Sequence, residues 1–100
     1  MSKYNNIKTT FDGFTFDSKA ESKRYNELKL LKRAGEIKYF NLQPSLRFEC
    51  GTRYIADFVI CDKDDKIWVE DVKGVETTAF KIKKKMFERE YIYLELRLIK

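Results

Sequence analysis

The alternation of apolar and polar positions predicts a β-hairpin in the second half of the chain. Residues 54–61 are apolar at every position except Asp57, which is typical of a strand buried on both faces of a sheet. Residues 67–72 read as a second strand, with odd-numbered and even-numbered side chains on opposite faces. The polar segment between them, residues 62–66, is predicted to form the turn.

A hairpin that is symmetric about Asp64 would place Asp57 opposite Asp71 on one face of the sheet, with Lys73 one step further along. Like charges that face each other across two strands destabilise a sheet. Such a carboxylate pair therefore implies a cation between its members, and oxygen ligands are those of a hard-metal site. The hairpin thus predicts metal-dependent chemistry.

Two alternatives remain open at this hairpin. A slip of one residue in the turn would place Glu70, rather than Asp71, opposite Asp57. A structural ion pair with Lys73 or Arg53 would also explain a carboxylate at Asp57, because ionic groups in a central strand require pairing.

The whole pattern predicts the element order α-β-β-β-α-β. In chain order the segments are an arm or short hairpin at 1–16, a helix at 18–34, a connection at 36–43, a strand at 46–50, the hairpin strands at 54–61 and 67–72, a helix at 79–91 and a strand at 93–99. Ser18 and Glu21 fit a capping box at the start of the first helix, and Gly35 fits the residue after its end. A three-strand meander followed by a helical crossover gives an α/β fold, with a mixed sheet flanked by helices.

Glu21 has two interpretations. It occupies the third position of the first helix, where a carboxylate caps free backbone N–H groups. It also begins the predicted buried stripe of that helix, which continues through Tyr25, Leu28 and Leu31. The second interpretation would direct Glu21 towards the carboxylate pair.

The second helix carries a basic run. Its apolar arc is predicted to contain Ala79, Phe80, Ile82, Met86, Phe87 and Tyr91. Lys83 falls inside this arc, so its aliphatic stem would be packed and its ammonium group directed outwards, towards a phosphate. Lys81 and Lys84 lie nearer the solvent, where either a solvated face or phosphate contact would explain them. Lys3, on the N-terminal arm, is a further candidate for DNA contact.

Composition indicates a folded, basic protein. With 43% hydrophobic residues, the chain has enough apolar side chains for one core, and its 100 residues make one domain. Lys and Arg number 21 against 16 Asp and Glu, and the net charge of +5 favours a polyanionic partner. No apolar stretch reaches membrane-spanning length and the N-terminus lacks a signal-peptide pattern, so a cytoplasmic protein with no membrane partner is expected.

The residues that are missing exclude several kinds of site. The chain has no histidine, which excludes His metal ligands, His general bases and Ser-His or Cys-His nucleophile systems. Its two cysteines, Cys50 and Cys61, fall in predicted strands among apolar neighbours. We therefore expect buried free thiols rather than a disulfide or a catalytic thiol.

The chain resembles the PD-(D/E)XK nuclease superfamily in the order of its candidate residues, which are Glu21, Asp57, Asp71 and Lys73. The resemblance covers about residues 18–99. The segments 16–21 (FDSKAE), 42–44 (LQP), 54–58 (YIADF) and 69–74 (VEDVKG) are similar to those of small phage-encoded proteins of that superfamily. The arrangement is also similar to junction-resolving endonucleases and to the endonuclease subunit of heteromeric transposases. Ala56 and Asp71 depart from the superfamily's pattern, which has proline at the first position and more often Glu at the second.

The resemblance implies a restriction-endonuclease-like core at 18–99, after an N-terminal arm at 1–17. It implies a Mg²⁺-dependent DNA endonuclease, with Mn²⁺ as a substitute, that acts on duplex or branched, Holliday-junction-like DNA. Asp57, Asp71, the Val72 carbonyl group and Glu21 would be the metal ligands. Lys73 would orient and help deprotonate the attacking water, or stabilise charge on the phosphate.

Further partners follow from the same resemblance. Gln43 would touch the substrate or a metal-bound water. A homodimer would present two sites to a junction, and the partners would include phage recombination or replication proteins in the host bacterial cytoplasm. A non-catalytic nucleic-acid-binding or assembly module, or an endonuclease subunit that requires a partner, remains the alternative.

Overall fold

Eight strands and two helices make up residues 8–100, the part of the chain that the computed structural model describes. In chain order they are β1 (Thr9–Phe11), β2 (Phe14–Phe16), α1 (Lys19–Arg33), β3 (Ile37–Leu42), β4 (Ser45–Arg47), β5 (Arg53–Ile55), β6 (Phe58–Asp62), β7 (Ile67–Val72), α2 (Thr78–Glu90) and β8 (Glu95–Ile99). Four strands form one sheet in the order β3-β6-β7-β8, and β1-β2 and β4-β5 form two small hairpins. The predicted α/β class is confirmed.

The main sheet is mixed, as predicted. Strands β3, β6 and β7 pair antiparallel, whereas β7 and β8 pair parallel and are joined through α2. A parallel neighbour requires such a crossover, because the chain must return to the same end of the sheet. The crossover places the end of β7 and the start of α2 together at one end of the sheet.

The register of the central hairpin is the predicted one. Val59 pairs with Val69, and the pairing is symmetric about Asp64. The ladder ends at the pair Phe58 and Glu70, however, so Asp57 and Asp71 are not a strand pair as expected. The cause is a bend in the chain at Asp57, whose backbone N–H still donates to the Glu70 carbonyl group at 3.1 Å.

The segment predicted as a connection, residues 36–43, is instead the edge strand β3. A register shift between Ile37 and Tyr39 breaks its alternation, so the inward side chains are Ile37, Phe40 and Leu42. Such a bulge moves the apolar positions out of a strict period of two. The strand pattern was therefore not visible in the sequence.

The segment predicted as one central strand, residues 54–61, belongs to two sheets. β5 pairs with β4, and the chain then bends at Ala56 and Asp57 before β6 enters the main sheet. The N–H of Ala56 donates to the Pro44 carbonyl group at 3.1 Å, which continues the small hairpin for one residue. Both faces of β6 are covered, whereas in β5 Tyr54 is buried and Ile55 is 60% exposed, so only the second half of the segment is the doubly buried strand that the sequence predicted.

Cys50 contradicts the prediction of two buried thiols. It lies in an exposed turn after β4, whereas Cys61 is buried in β6. The turn is closed by the N–H of Gly51, which donates to the Phe48 carbonyl group at 2.9 Å. Gly51 has φ 96°, a conformation that favours glycine.

The core is divided between the two faces of the main sheet. The cluster on the α1 side contains Phe16, Tyr25, Leu28, Ile37, Phe58, Ile60 and Trp68. The cluster on the α2 side contains Phe48, Tyr54, Ala56, Val69, Phe80 and Phe87. Alternate residues of β6 and β7 enter opposite clusters, as the pleat requires. None of the helices in residues 8–100 is long and apolar enough to cross a membrane.

Candidate functional site

A pocket of about 390 Å³ at the end of the main sheet contains all four predicted catalytic side chains. Its walls come from the start of α1, the bend before β6, the end of β7 and the segment before α2. Glu21, Asp57, Asp71 and Lys73 line it together. The fold thus brings together residues that lie up to 52 positions apart in the sequence.

Asp71 is the most deeply buried acid of the pocket, with 2% of its surface exposed. The Tyr54 hydroxyl group donates a hydrogen bond to its Oδ2. The Lys73 ammonium group lies 3.4 Å from its Oδ1 and 4.6 Å from the centre of the Phe80 ring. Both oxygens of Asp71 therefore have a partner, and Lys73 is held between an anion and an aromatic face.

Asp57 lies at the bend before β6. Its Oδ2 accepts a hydrogen bond from the Val72 backbone N–H at 2.7 Å, which joins the bend to the end of β7. Burial raises the pKa of Asp57 to about 8, and the negative charges of Asp71 and Glu21 add to the shift, although the Val72 N–H opposes it. Asp57 is therefore mostly protonated at neutral pH unless a cation stabilises its charged form.

Glu21 takes part in the N-terminal cap of α1 through its backbone N–H, whereas its carboxylate lies in the pocket. Its backbone N–H donates to the Ser18 hydroxyl group at 3.1 Å, so α1 is capped as predicted. Its own side chain is 6% exposed and lines the pocket. Burial, followed by the charge of Asp17, raises the pKa of Glu21, whereas a hydrogen bond with the Asp17 backbone lowers it. The carboxylate of Asp71 contributes a smaller rise.

The donor set of the pocket fits a hard divalent cation. Four residues with carboxylates, Asp17, Glu21, Asp57 and Asp71, line the pocket together with a single ammonium group, that of Lys73, and all of the carboxylate donor atoms are oxygens. Burial makes two of these carboxylates, Asp57 and Glu21, hard to ionise, and a bound cation would reverse that effect. As the side chains now stand, no three Asp, Glu, Cys or His residues within 8–100 converge as a metal-binding group.

Glu70, the alternative ligand, lies on the opposite face of β7 and is fully paired there. Arg24 of α1 forms two hydrogen bonds with its carboxylate, both at 2.7 Å, and the Trp68 indole N–H donates a third at 2.9 Å. The slipped register is therefore not adopted. Within residues 8–100 Asp57 also forms no ion pair with Lys73 or Arg53, so that structural alternative is not adopted either.

Of the residues predicted to contact nucleic acid, one adjoins the pocket and three lie on α2. Gln43 is exposed, and its backbone N–H donates to the Asp57 carbonyl group at 2.9 Å, so it adjoins the site. On α2, Lys81 is exposed, whereas Lys83 and Lys84 are half-buried. Lys3 lies outside the described residues.

The predicted apolar arc of α2 was too wide. Phe80 and Phe87 are buried, but the side chain of Ile82 is 56% exposed. The helix packs against the sheet along a narrow stripe, and Ile82 lies beside that stripe. The start of α2 also reaches the pocket, because Thr77 lines it and accepts the Phe80 backbone N–H at 3.1 Å.

Sequence reasoning missed Tyr54 and Arg24 as partners of the two acids on β7. Tyr54 was expected in the core, where it is, but its hydroxyl group had no assigned partner. A buried tyrosine usually requires one, and this is the signal that was available. Arg24 follows Glu21 by three residues on α1, and only the packing of α1 on the sheet reveals that it reaches Glu70.

Comparison with known proteins adds a family to this geometry. No curated protein and no solved structure matches the chain. One protein family matches residues 1–100, which is the whole sequence. The chain therefore belongs to the family described as "Protein of unknown function (DUF1064)".

Proposed function

We propose that this protein is a divalent-cation-dependent endonuclease of the PD-(D/E)XK type that hydrolyses phosphodiester bonds in DNA. The observation that carries the proposal is that Glu21, Asp57, Asp71 and Lys73 line one pocket. Carboxyl groups in a cleft whose pKa values are raised by burial and by neighbouring charges, as those of Asp57 and Glu21 are, are typical of functional sites. Glu70 differs from these acids, because both of its carboxylate oxygens accept hydrogen bonds from Arg24 in a structural ion pair.

The topology supports the same proposal. In a restriction-endonuclease-like core, the acid-x-Lys motif ends a strand whose parallel neighbour follows a helical crossover. Here Asp71 and Lys73 lie at the end of β7, and α2 leads to the parallel strand β8. The second acid, Asp57, directly precedes the antiparallel neighbour β6. The proposal therefore covers the fold family as well as the activity.

Each residue of the pocket has a proposed role. Asp57, Asp71, Glu21 and the Val72 carbonyl group would hold Mg²⁺ or Mn²⁺. When bound, such an ion supplies Lewis-acid stabilisation of phosphate charge and activation of water. The Lys73 ammonium group would orient the attacking water or neutralise charge on the phosphate. Tyr54 would keep the Asp71 carboxylate in one orientation.

The substrate is proposed from charge and from the surroundings of the pocket. The net charge of +5 favours a polyanion. Gln43 borders the pocket, and Lys81, Lys83 and Lys84 follow Thr77, a lining residue, on α2. These residues would contact duplex or branched DNA. A homodimer, and phage recombination or replication proteins in a bacterial cytoplasm, are the proposed partners.

The test is DNA cleavage by the purified protein. Supercoiled plasmid and a synthetic four-way junction are incubated with Mg²⁺, Mn²⁺ or EDTA, and the Asp71→Asn and Lys73→Ala variants are compared with wild type. Asp64→Asn and Lys66→Ala in the β6–β7 turn are matched controls, because they make the same changes at the other end of the sheet. We expect cation-dependent cutting that both site variants reduce at least a hundredfold and both controls retain.

Cutting that survives in both site variants would contradict the proposal. If no protein cuts DNA but all bind it equally well, a nucleic-acid-binding module or a partner-dependent subunit replaces the nuclease as the best interpretation. Circular dichroism confirms that each variant is folded before its rate is compared.

A further inference from the structure

A second and larger cavity lies beside the pocket. It has a volume of about 970 Å³ and runs between α1, β2 and the edge strand β3. We call it the α1–β3 groove. Its lining residues include the apolar Phe14, Tyr25, Leu30, Phe40 and Leu42 and the basic Lys29, Lys32 and Arg33. None of the described residues that line it is acidic.

The α1–β3 groove adjoins the pocket along two elements. On α1, Glu21 lines the pocket and Tyr25 lines the groove, one helical turn and about 6 Å further along. At the end of β3, Leu42 lines the groove, and the next residue, Gln43, is hydrogen-bonded through its backbone to Asp57 of the pocket. The two cavities are therefore neighbours along α1 and at the end of β3, which is the arrangement that one extended ligand would need.

The groove offers an accessible aromatic surface. Phe14 is 45% exposed, and its ring centre lies 5.9 Å from that of Tyr25 in an edge-to-face contact. Phe40 contacts Tyr25 at 5.7 Å and also lines the groove. Leu30 adds a side chain that is 65% exposed. An exposed ring such as Phe14, beside further aromatic side chains, suits the flat face of an unpaired nucleobase.

The positive charges of the groove are available to a ligand. Lys32 and Arg33 lie in the last turn of α1 and are exposed. Neither forms an ion pair with any residue in 8–100. Lys29, by contrast, pairs with Asp12 at the rim. Arg33 follows Glu21 by twelve residues, so these charges lie about 18 Å along α1 from the proposed catalytic pocket.

We propose that the α1–β3 groove binds a single-stranded arm of the substrate nucleic acid, with bases against Phe14 and backbone phosphates near Lys32 and Arg33. The bases of a duplex are stacked on one another and cannot reach the rings, whereas those of a single strand can. The inference deepens the proposed function: it makes DNA that carries an unpaired arm next to the scissile bond the preferred substrate class.

The test is an affinity measurement that needs no turnover. Fluorescence anisotropy in EDTA compares a blunt DNA duplex with the same duplex carrying a single-stranded arm. Wild type is expected to bind the armed duplex at least tenfold more tightly. The Lys32→Gln/Arg33→Gln variant is expected to lose this difference. For a single strand, the slope of the logarithm of the binding constant against the logarithm of the salt concentration should fall by about 1.4 in magnitude, or about 0.7 for each cation removed. Phe14→Ala should weaken binding of the arm about tenfold.

A matched control is the Lys63→Gln/Lys66→Gln variant. It removes two exposed charges from the β6–β7 turn, at the end of β6 and β7 that lies away from the pocket. It should keep the preference for the arm. The proposal is overturned if wild type binds both DNAs equally, or if the groove and control variants weaken both DNAs alike. If the groove instead binds an acidic protein segment, wild type should bind both DNAs equally. If the protein prefers the armed duplex but does not cut DNA, the proposed nuclease activity is contradicted and the proposed binding site is not.

Discussion

The Tyr54 hydroxyl group donates a hydrogen bond to Oδ2 of Asp71, although the two residues lie 17 positions apart and in different sheets. Burial, and then the hydrogen bond with Asp71, raise the pKa of Tyr54 well above its ordinary value, so the hydroxyl group remains a donor at every working pH. Since Lys73 approaches the other oxygen, the carboxylate has one orientation. This contact connects the small β4-β5 hairpin to the candidate metal site.

Tyr54→Phe removes that donor and retains the ring. We expect the affinity for Mn²⁺ and the cleavage rate to fall about 10- to 100-fold, because outer partners orient metal ligands. Titration calorimetry with Mn²⁺ measures the affinity without DNA. Tyr91→Phe is the control, since it also removes a tyrosine hydroxyl hydrogen bond, to the Arg47 carbonyl group, outside the pocket. Equal Mn²⁺ affinity in Tyr54→Phe and wild type would show that the contact is only structural.

The stability of the protein without divalent cations should depend on pH in a defined direction. Asp57 has its pKa raised to about 8, and that of Glu21 is also raised. A carboxyl group whose pKa is raised by folding stabilises the folded state below its unfolded pKa, near 4, and loses this contribution as the pH rises through the folded pKa. The free energy of unfolding should therefore fall between about pH 4 and pH 8, by on the order of a few kcal/mol.

Thermal unfolding followed at several pH values checks this dependence. Asp57→Asn should flatten the curve, since the amide does not ionise. Mg²⁺ should raise the Tm of wild type most at high pH, where the carboxylates are ionised. A Tm that rises steadily from pH 4 to pH 8 in EDTA would contradict the predicted direction.

The buried ion pair on the other face of β7 should matter for stability and not for chemistry. Arg24→Met leaves Glu70 without its two strongest hydrogen bonds and should lower the free energy of unfolding by about 3–5 kcal/mol. A double variant, Arg24→Met with Glu70→Gln, keeps an acceptor for Trp68 and should recover part of this loss. Urea unfolding measures both.

The control for this pair is Glu27→Ala, which removes only an exposed ion pair of Arg24 and should change stability by less than about 1 kcal/mol. Under conditions where Arg24→Met is folded, its cleavage rate should be close to that of wild type. A folded Arg24→Met variant that cannot cut DNA would instead assign a catalytic role to this pair.

The effects of the Gln43 backbone and of the Gln43 side chain can be measured separately. It has φ 52° directly before Pro44, a conformation that is unfavourable for a residue with a side chain. Gln43→Gly should keep the backbone hydrogen bond to Asp57 and raise stability by up to about 1 kcal/mol. If the side chain contacts substrate, cleavage should still fall about tenfold.

Asp65→Gly is the matched control, because Asp65 has φ 65° in the β6–β7 turn, away from the pocket. It should leave the cleavage rate unchanged. A Gln43→Gly variant that cuts DNA as fast as wild type would remove Gln43 from the proposed substrate contacts.

Local rules predicted the parts of the fold that depend on neighbouring residues. The cap of α1 by Ser18, its end before Gly35 and the turn about Asp64 all follow from short polar or glycine signals. The candidate site followed from charged residues in otherwise apolar strands, an unusual placement that implies either pairing or function.

The remaining features depend on contacts between distant segments. The bulge after Ile37 disrupts the alternation of β3, so this strand could not be recognised from the sequence. The passage of residues 54–61 from one sheet to another, at the bend before β6, could not be recognised either. The exposure of Ile82 depends on which part of α2 faces the sheet. Arg24 could not be assigned to Glu70 from the sequence, because that pair exists only once α1 packs on β7.

The most direct measurement of the proposed chemistry is the initial rate of four-way-junction cleavage at pH 8 in Mg²⁺, for wild type and Asp57→Asn. At this pH the asparagine variant should be at least as stable as cation-free wild type, because it removes a buried carboxylate whose pKa is about 8. We predict that wild type cuts the junction and that folded Asp57→Asn cuts it at least a hundredfold more slowly. Equal rates for the two proteins would contradict the assignment of this pocket as a nuclease site.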